Sequence, residues 1–85
     1  MKIDVKYFAA LREAVGTAHE QLDLPAEVTT VGAVRELLRA RGGTWSEALA
    51  PGRAVRMAFK QVMCDGDTPI SEGAEVAFFP PVTGG

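Results

Sequence analysis

Residues 30–43 read TVGAVRELLRARGG, and this stretch decides the fold. A hydroxyl residue able to cap a helix stands first. The apolar residues Val31, Val34, Leu37 and Leu38 follow at spacings of three and four, and Gly42-Gly43 closes the run. The pattern predicts an amphipathic helix with one buried stripe and with Arg35, Glu36 and Arg39 facing water. On both sides of it the apolar period changes from that of a helix to that of a strand.

Toward the N-terminus, His19 to Leu24 carries Leu22 and Leu24 on one face and stops at Pro25. Before it, Ala10 to Val15 is rich in helix formers and is followed by Gly16, which tolerates positive φ, so a short helical turn is expected. Ile3, Val5 and Tyr7 alternate with Lys2, Asp4 and Lys6 as the first strand. Toward the C-terminus, Thr44 and Glu47 have capping-box spacing and predict a second short helix around Trp45 to Leu49, broken by Pro51-Gly52.

From Arg53 the alternation returns. Val55, Met57 and Phe59 point one way, with Arg56, Ala58 and Lys60 between them, and Val62 to Cys64 is a short apolar run. Asp65-Gly66-Asp67 and Ser71-Glu72-Gly73 are turn chemistry around the isolated Ile70. The last strand, Glu75 to Phe79, is apolar on both faces, as in a central strand or one whose second face meets a partner. Two strands, a long helix and a return of strands is an α+β pattern in which one helix covers a mixed sheet. That is the outline of the β-grasp, or ubiquitin-like, fold, here expected over 1–79 with an extended tail over 80–85.

The chain of 85 residues suffices for one such domain, and its 47% hydrophobic and 24% charged content is that of a folding chain rather than a disordered one. The net charge is −2 and the basic residues are scattered from Lys2 to Lys60, so no stripe exists to neutralise a row of phosphates and no nucleic acid partner is expected. No apolar run approaches the roughly 20 residues that span a bilayer, and MKIDVKYF lacks a signal-peptide layout, so no membrane association and a cytoplasmic location are expected. Cys64 and His19 are each the sole residue of their type. They can form neither an internal disulfide nor a Cys/His metal site, and the expected roles are apolar filler for Cys64 and a solvated strand position for His19.

After Phe79 the sequence continues Pro80, Pro81, Val82, Thr83, Gly84, Gly85. Two prolines oppose further ladder pairing and favour a stiff exit, and from Pro81 to Gly85 an extended chain reaches roughly 13 to 17 Å. Glycine lets a backbone pass a channel where a Cβ would collide. Because Phe78 and Phe79 alternate across the strand, one of them must face away from the helix. Phe79 is the expected outward anchor for a partner, with Met63 on the same face, since aromatic and Met side chains are enriched at interfaces.

VAFFPPVTGG at 76–85 resembles the terminus of molybdopterin synthase small subunits, and weaker resemblance runs through YFAALREAVG at 7–16 and SEGAEV at 71–76. Two departures stand out. Lys60 occupies a position where many relatives have Asn, and Ala74 one where they usually have Asp. The resemblance implies a cycle at Gly85, preceded by Gly84. An activating enzyme similar to those of ubiquitin adenylates the terminal carboxylate with ATP, a sulfur donor converts the adenylate to a thiocarboxylate, and the sulfur passes to cyclic pyranopterin monophosphate on a large catalytic subunit in a heterotetramer. It also implies a polar partner contact at Arg12, partner contacts at Pro80, Pro81, Val82 and Thr83, and no cofactor or metal held by this chain. Two other classes share the glycine-glycine end: sulfur carriers for thiamine thiazole synthesis and ubiquitin-like protein modifiers.

Overall fold

The computed structural model describes residues 1–81. Its elements are β1 (Lys2–Tyr7), α1 (Ala9–Val15), β2 (His19–Asp23), α2 (Val31–Arg39), α3 (Gly43–Ala48), β3 (Arg56–Phe59), β4 (Val62–Cys64) and β5 (Glu75–Phe79). The strands form one sheet in the order β2-β1-β5-β3-β4. β1 pairs antiparallel with β2 and parallel with β5, and β3 pairs antiparallel with β5 and β4. This is the α+β β-grasp architecture that the order of periods implies. β5 lies at its centre, which explains a strand apolar on both faces: Val76, Ala77 and Phe78 are all buried.

One face of the sheet meets α2. Ile3, Val5 and Tyr7 of β1, Leu22 of β2 and Val76 and Phe78 of β5 pack into one core with Val31, Val34 and Leu38. The Tyr7 and Phe78 rings stack with centroids 6.3 Å apart. Burying a side chain the size of Phe78 contributes about 2 to 3 kcal/mol, which ties the end of β5 firmly to the body.

The start of α2 is fastened twice. Thr30 Oγ1 accepts the amide of Ala33 at 3.1 Å. The amides of Val31 and Gly32, which no helical carbonyl can reach, donate to the carbonyls of Thr68 and Gly66 at 3.0 and 2.9 Å. Gly32 permits this approach, because a Cβ there would lie 2.9 Å from the Gly66 carbonyl oxygen.

Two expectations from the sequence fail locally. Arg35 and Arg39 do not simply face water. Both are half-buried, and Arg35 Nε and Nη2 donate at 2.7 Å to the carbonyls of Leu49 and Ala50, closing the C-terminal end of α3. Thr44 and Glu47 form no capping box either, since α3 starts at Gly43 with Gly42 as a cap that offers no side-chain hydrogen bond. The physical reason is in the backbone: Gly42 and Gly43 adopt φ of 79° and 53°, so the chain turns into the helix before the hydroxyl is reached.

Candidate functional site at the end of the central strand

Strand register defines the face that the helices leave open. Across the sheet, Lys6, Ala77, Ala58 and Met63 stand in one row, and Phe79 pairs with Arg56 one step further along β5. Ala58 and Ala77 are too small to fill the space above them. They floor a hollow of about 320 Å³ walled by Phe79, Met63, Phe8 and Gln61, with Lys6 and Glu75 at its rim. Lys6 Nζ and Glu75 Oε1 are 3.0 Å apart. Phe8 and Met63 are 47% and 58% exposed and join Phe79 on this face, an apolar concentration that isolated surface residues do not explain. Phe79 therefore looks outward beside Met63, while Phe78 lies in the core.

β5 hands the chain directly to Pro80 and Pro81, both half-buried. Pro80 does not stand clear of the body. It lines a second hollow, of about 280 Å³, with Ala10, Leu11 and Ala14 of α1, Ala48 of α3 and the segment Arg53 to Val55. The two hollows lie on either side of the tail's root. Val82, Thr83, Gly84 and Gly85 lie outside the described residues. Arg12 is exposed on α1 and lines neither hollow, so the structure does not join it to Phe79 and Met63.

Cys64 and His19 stand on β4 and β2, the opposite edges of the sheet, and cannot share a ligand. Cys64 is partly buried against the core, while His19 is exposed with Nε2 3.6 Å from Asp4 Oδ1.

A polar cluster was not foreseen from the sequence. Tyr7 donates its hydroxyl to Glu20 Oε2 at 2.8 Å, and Arg41 donates Nη1 and Nη2 to the two oxygens of the same carboxylate at 3.0 and 2.8 Å. The Arg41 guanidinium lies 4.4 Å from the centroid of the Trp45 ring, which meets Tyr7 edge-on at 5.4 Å. Burial raises the Tyr7 phenol well above its ordinary range, and the bond to Glu20 adds to this. For Glu20 burial pushes upward, but the hydrogen bonds from Arg41 and Tyr7 outweigh it and hold the carboxyl below its usual value. One signal was present: Glu20 is in phase with Leu22 and Leu24, so strand periodicity places it on the buried face.

Comparison with known proteins joins the sheet, the tail root and the terminal sequence. The chain matches the ThiS family over residues 5–85. The chain belongs to this family. It is 42% identical over 83 residues to the molybdopterin synthase sulfur carrier subunit of Escherichia coli, an alignment covering 98% of this chain and 99% of that protein. The corresponding subunit of Haemophilus influenzae is 37% identical over the same shares. Among solved structures, SAMP1 of Haloferax volcanii superposes with a TM-score of 0.76 over the full length of both chains at 23% identity, a likeness of fold alone. For this ThiS family member, no helix among the described residues is long and apolar enough to cross a membrane.

Proposed function

We propose that this chain is the sulfur carrier subunit of a molybdopterin synthase and that Gly85 is the residue loaded with sulfur. The observation that carries the reading is the 42% identity to the Escherichia coli sulfur carrier across 98% of this chain and 99% of that one. The geometry supports it: the core fixes β5 through Phe78, β5 ends at Pro80 and Pro81, and an open apolar face with Phe79 and Met63 lies beside that exit.

A carboxylate is a poor electrophile because its leaving group would be an oxide. In the proposed cycle the Gly85 carboxylate attacks the α-phosphorus of ATP on an adenylating enzyme, pyrophosphate leaves, and the mixed anhydride supplies AMP as a good leaving group. A sulfur donor displaces AMP and leaves the thiocarboxylate, a soft nucleophile. On the large subunit that sulfur attacks cyclic pyranopterin monophosphate, and hydrolysis of the acyl–sulfur bond returns the carboxylate. In this reading the acid and base belong to the partners, and the chain acts as a sulfur-bearing cosubstrate in a cytoplasmic heterotetramer. Gly84 keeps the approach narrow, and Pro80 to Thr83 line the entry into both partners.

The test is intact mass after incubation with the adenylating enzyme, ATP and a sulfur donor. The expected product carries one sulfur in place of one oxygen at Gly85, and the large subunit then converts it with formation of molybdopterin. Deleting Gly85, or adding one alanine after it, shifts the reactive carbon by about 3.3 Å and should abolish both steps without altering thermal unfolding. An alanine-extended chain that forms product at the native rate would overturn the reading. An isopeptide adduct in place of thiocarboxylate would favour a protein modifier.

A further inference from the structure

The root of the tail is bracketed by two arginines that the fold does not use. Arg56 stands opposite Phe79 in the β3–β5 register. It shares the outer face with Phe79, since Ala58, two residues along the same strand, floors the hollow there. Arg53 lies on the other side, lining the second hollow with Pro80. Both are exposed. Neither guanidinium has a hydrogen-bond or ion-pair partner among the described residues, whereas Lys6, Arg39 and Arg41 are each paired with a glutamate. On a chain of net charge −2, two unpaired cations on either side of an apolar anchor form a local field opposite in sign to that of the whole molecule.

Resting on the sulfur-carrier reading, we infer that Arg53 and Arg56 form a basic clamp for acidic side chains of the large synthase subunit around the point where the tail enters it. The clamp acts in docking rather than in chemistry, because both arginines stand at the root of the tail, five residues or more of chain away from the carboxylate proposed to react. Arginine is well suited to such a clamp, because its planar fork pairs with a carboxylate through two parallel hydrogen bonds and it is weakly hydrated for a cation. Beside Phe79 and Met63 it completes an apolar centre with a charged rim. Charges at a rim act mainly on the rate of association and on its dependence on salt.

The experiment measures association of the full chain with the large subunit at low and high salt. Native protein is compared with Arg53→Glu, Arg56→Glu, the milder Arg53→Gln and Arg56→Gln, and Lys2→Glu. Lys2 lies at the other end of the sheet from Phe79, so Lys2→Glu makes the same change in net charge away from the clamp. Each arginine reversal should lower the association rate constant about tenfold at low salt, the glutamine variants about threefold, and Lys2→Glu less than about twofold. High salt should shrink these differences, and thermal unfolding should be unchanged. If the folded arginine variants associate as fast as Lys2→Glu while the native chain still binds and transfers sulfur, the clamp is wrong and the carrier reading stands. If the native chain binds no large subunit, both fall.

Discussion

Phe78 and Phe79 are consecutive in β5 and stand on opposite faces of the sheet. Phe78 is fully buried against Tyr7, and Phe79 is half-buried beside Met63 over the open hollow. In the proposed complex the two rings divide stability from docking. Phe78→Ala should cost about 3 to 5 kcal/mol in folding free energy through lost burial and a cavity. Phe79→Ala should change stability by less than about 1 kcal/mol but weaken binding to the large subunit by about 2 kcal/mol or more. Denaturant unfolding and binding calorimetry on both variants check the separation, and a Phe79→Ala protein that unfolds like Phe78→Ala would contradict it.

The cluster of Tyr7, Glu20 and Arg41 makes stability fall at both ends of the pH range. The carboxyl of Glu20 is held below its ordinary value in the fold, so its contribution is fully present above the usual carboxylate range and is lost as pH falls through the lowered value. Tyr7 is shifted the other way: its contribution is fully present below the ordinary phenol value of about 10 and is lost as pH rises above it. Glu20→Gln should cost about 1 kcal/mol at neutral pH, a small figure because Arg41 is partly exposed, and should flatten the acid side of the curve. Tyr7 is the chain's only tyrosine, so phenolate absorbance reads it alone and should appear only as the protein unfolds. Normal titration of Tyr7 in folded protein would show that the cluster is loose in solution.

What could be read from the sequence was local in range. The period of two fixed β1, the run apolar on both faces fixed β5, the period near four fixed α2, and the alternation of Phe78 and Phe79 required one of them to face out. Which one depended on the side that α2 covers. The features that escaped join distant segments: Arg35 bonds to carbonyls beyond α3, Glu20 meets Arg41, and Gly32 meets Gly66. The outer hollow escaped because its defining residues, Ala58 and Ala77, matter for what they leave empty. For Val82 to Gly85 the case rests on the terminal motif and on the family.

The β3–β4 hairpin turns on Lys60 and Gln61, both in the left-handed region with φ of 51° and 68°. A two-residue loop with positive φ at both positions favours Asn followed by Gly, and a residue with a Cβ pays a steric penalty there. Lys60 is also one of the two positions at which the sequence departs from the family pattern it resembles. Lys60→Asn and Gln61→Gly should each stabilise the protein by about 0.5 to 1 kcal/mol, and together they should raise the thermal midpoint by several degrees. The Lys60 ammonium lies 5.5 Å from the Phe59 ring. If its loss outweighs the relief of strain, Lys60→Asn will be neutral while Gln61→Gly still gains.

Gly32 is the least conspicuous residue whose replacement should damage the fold. It lies in a helix, where alanine ordinarily improves stability over glycine by about 1 kcal/mol. Here a methyl group would sit 2.9 Å from the Gly66 carbonyl oxygen and 3.2 Å from its Cα, both backbone atoms that cannot rotate aside. The displaced loop would also lose the bonds from the amides of Gly32 and Val31 to the carbonyls of Gly66 and Thr68. Overpacking of this kind costs about 1 to 3 kcal/mol, and each amide left without a partner adds about 1 kcal/mol. The clash exceeds the propensity gain, so Gly32→Ala should lower stability by about 1 to 3 kcal/mol net. The loss should concentrate in faster hydrogen exchange of the Val31 and Gly32 amides. An alanine at a helical position that contacts nothing would raise the midpoint instead, and such a rise for Gly32→Ala would show that the loop at Gly66 does not hold the start of α2.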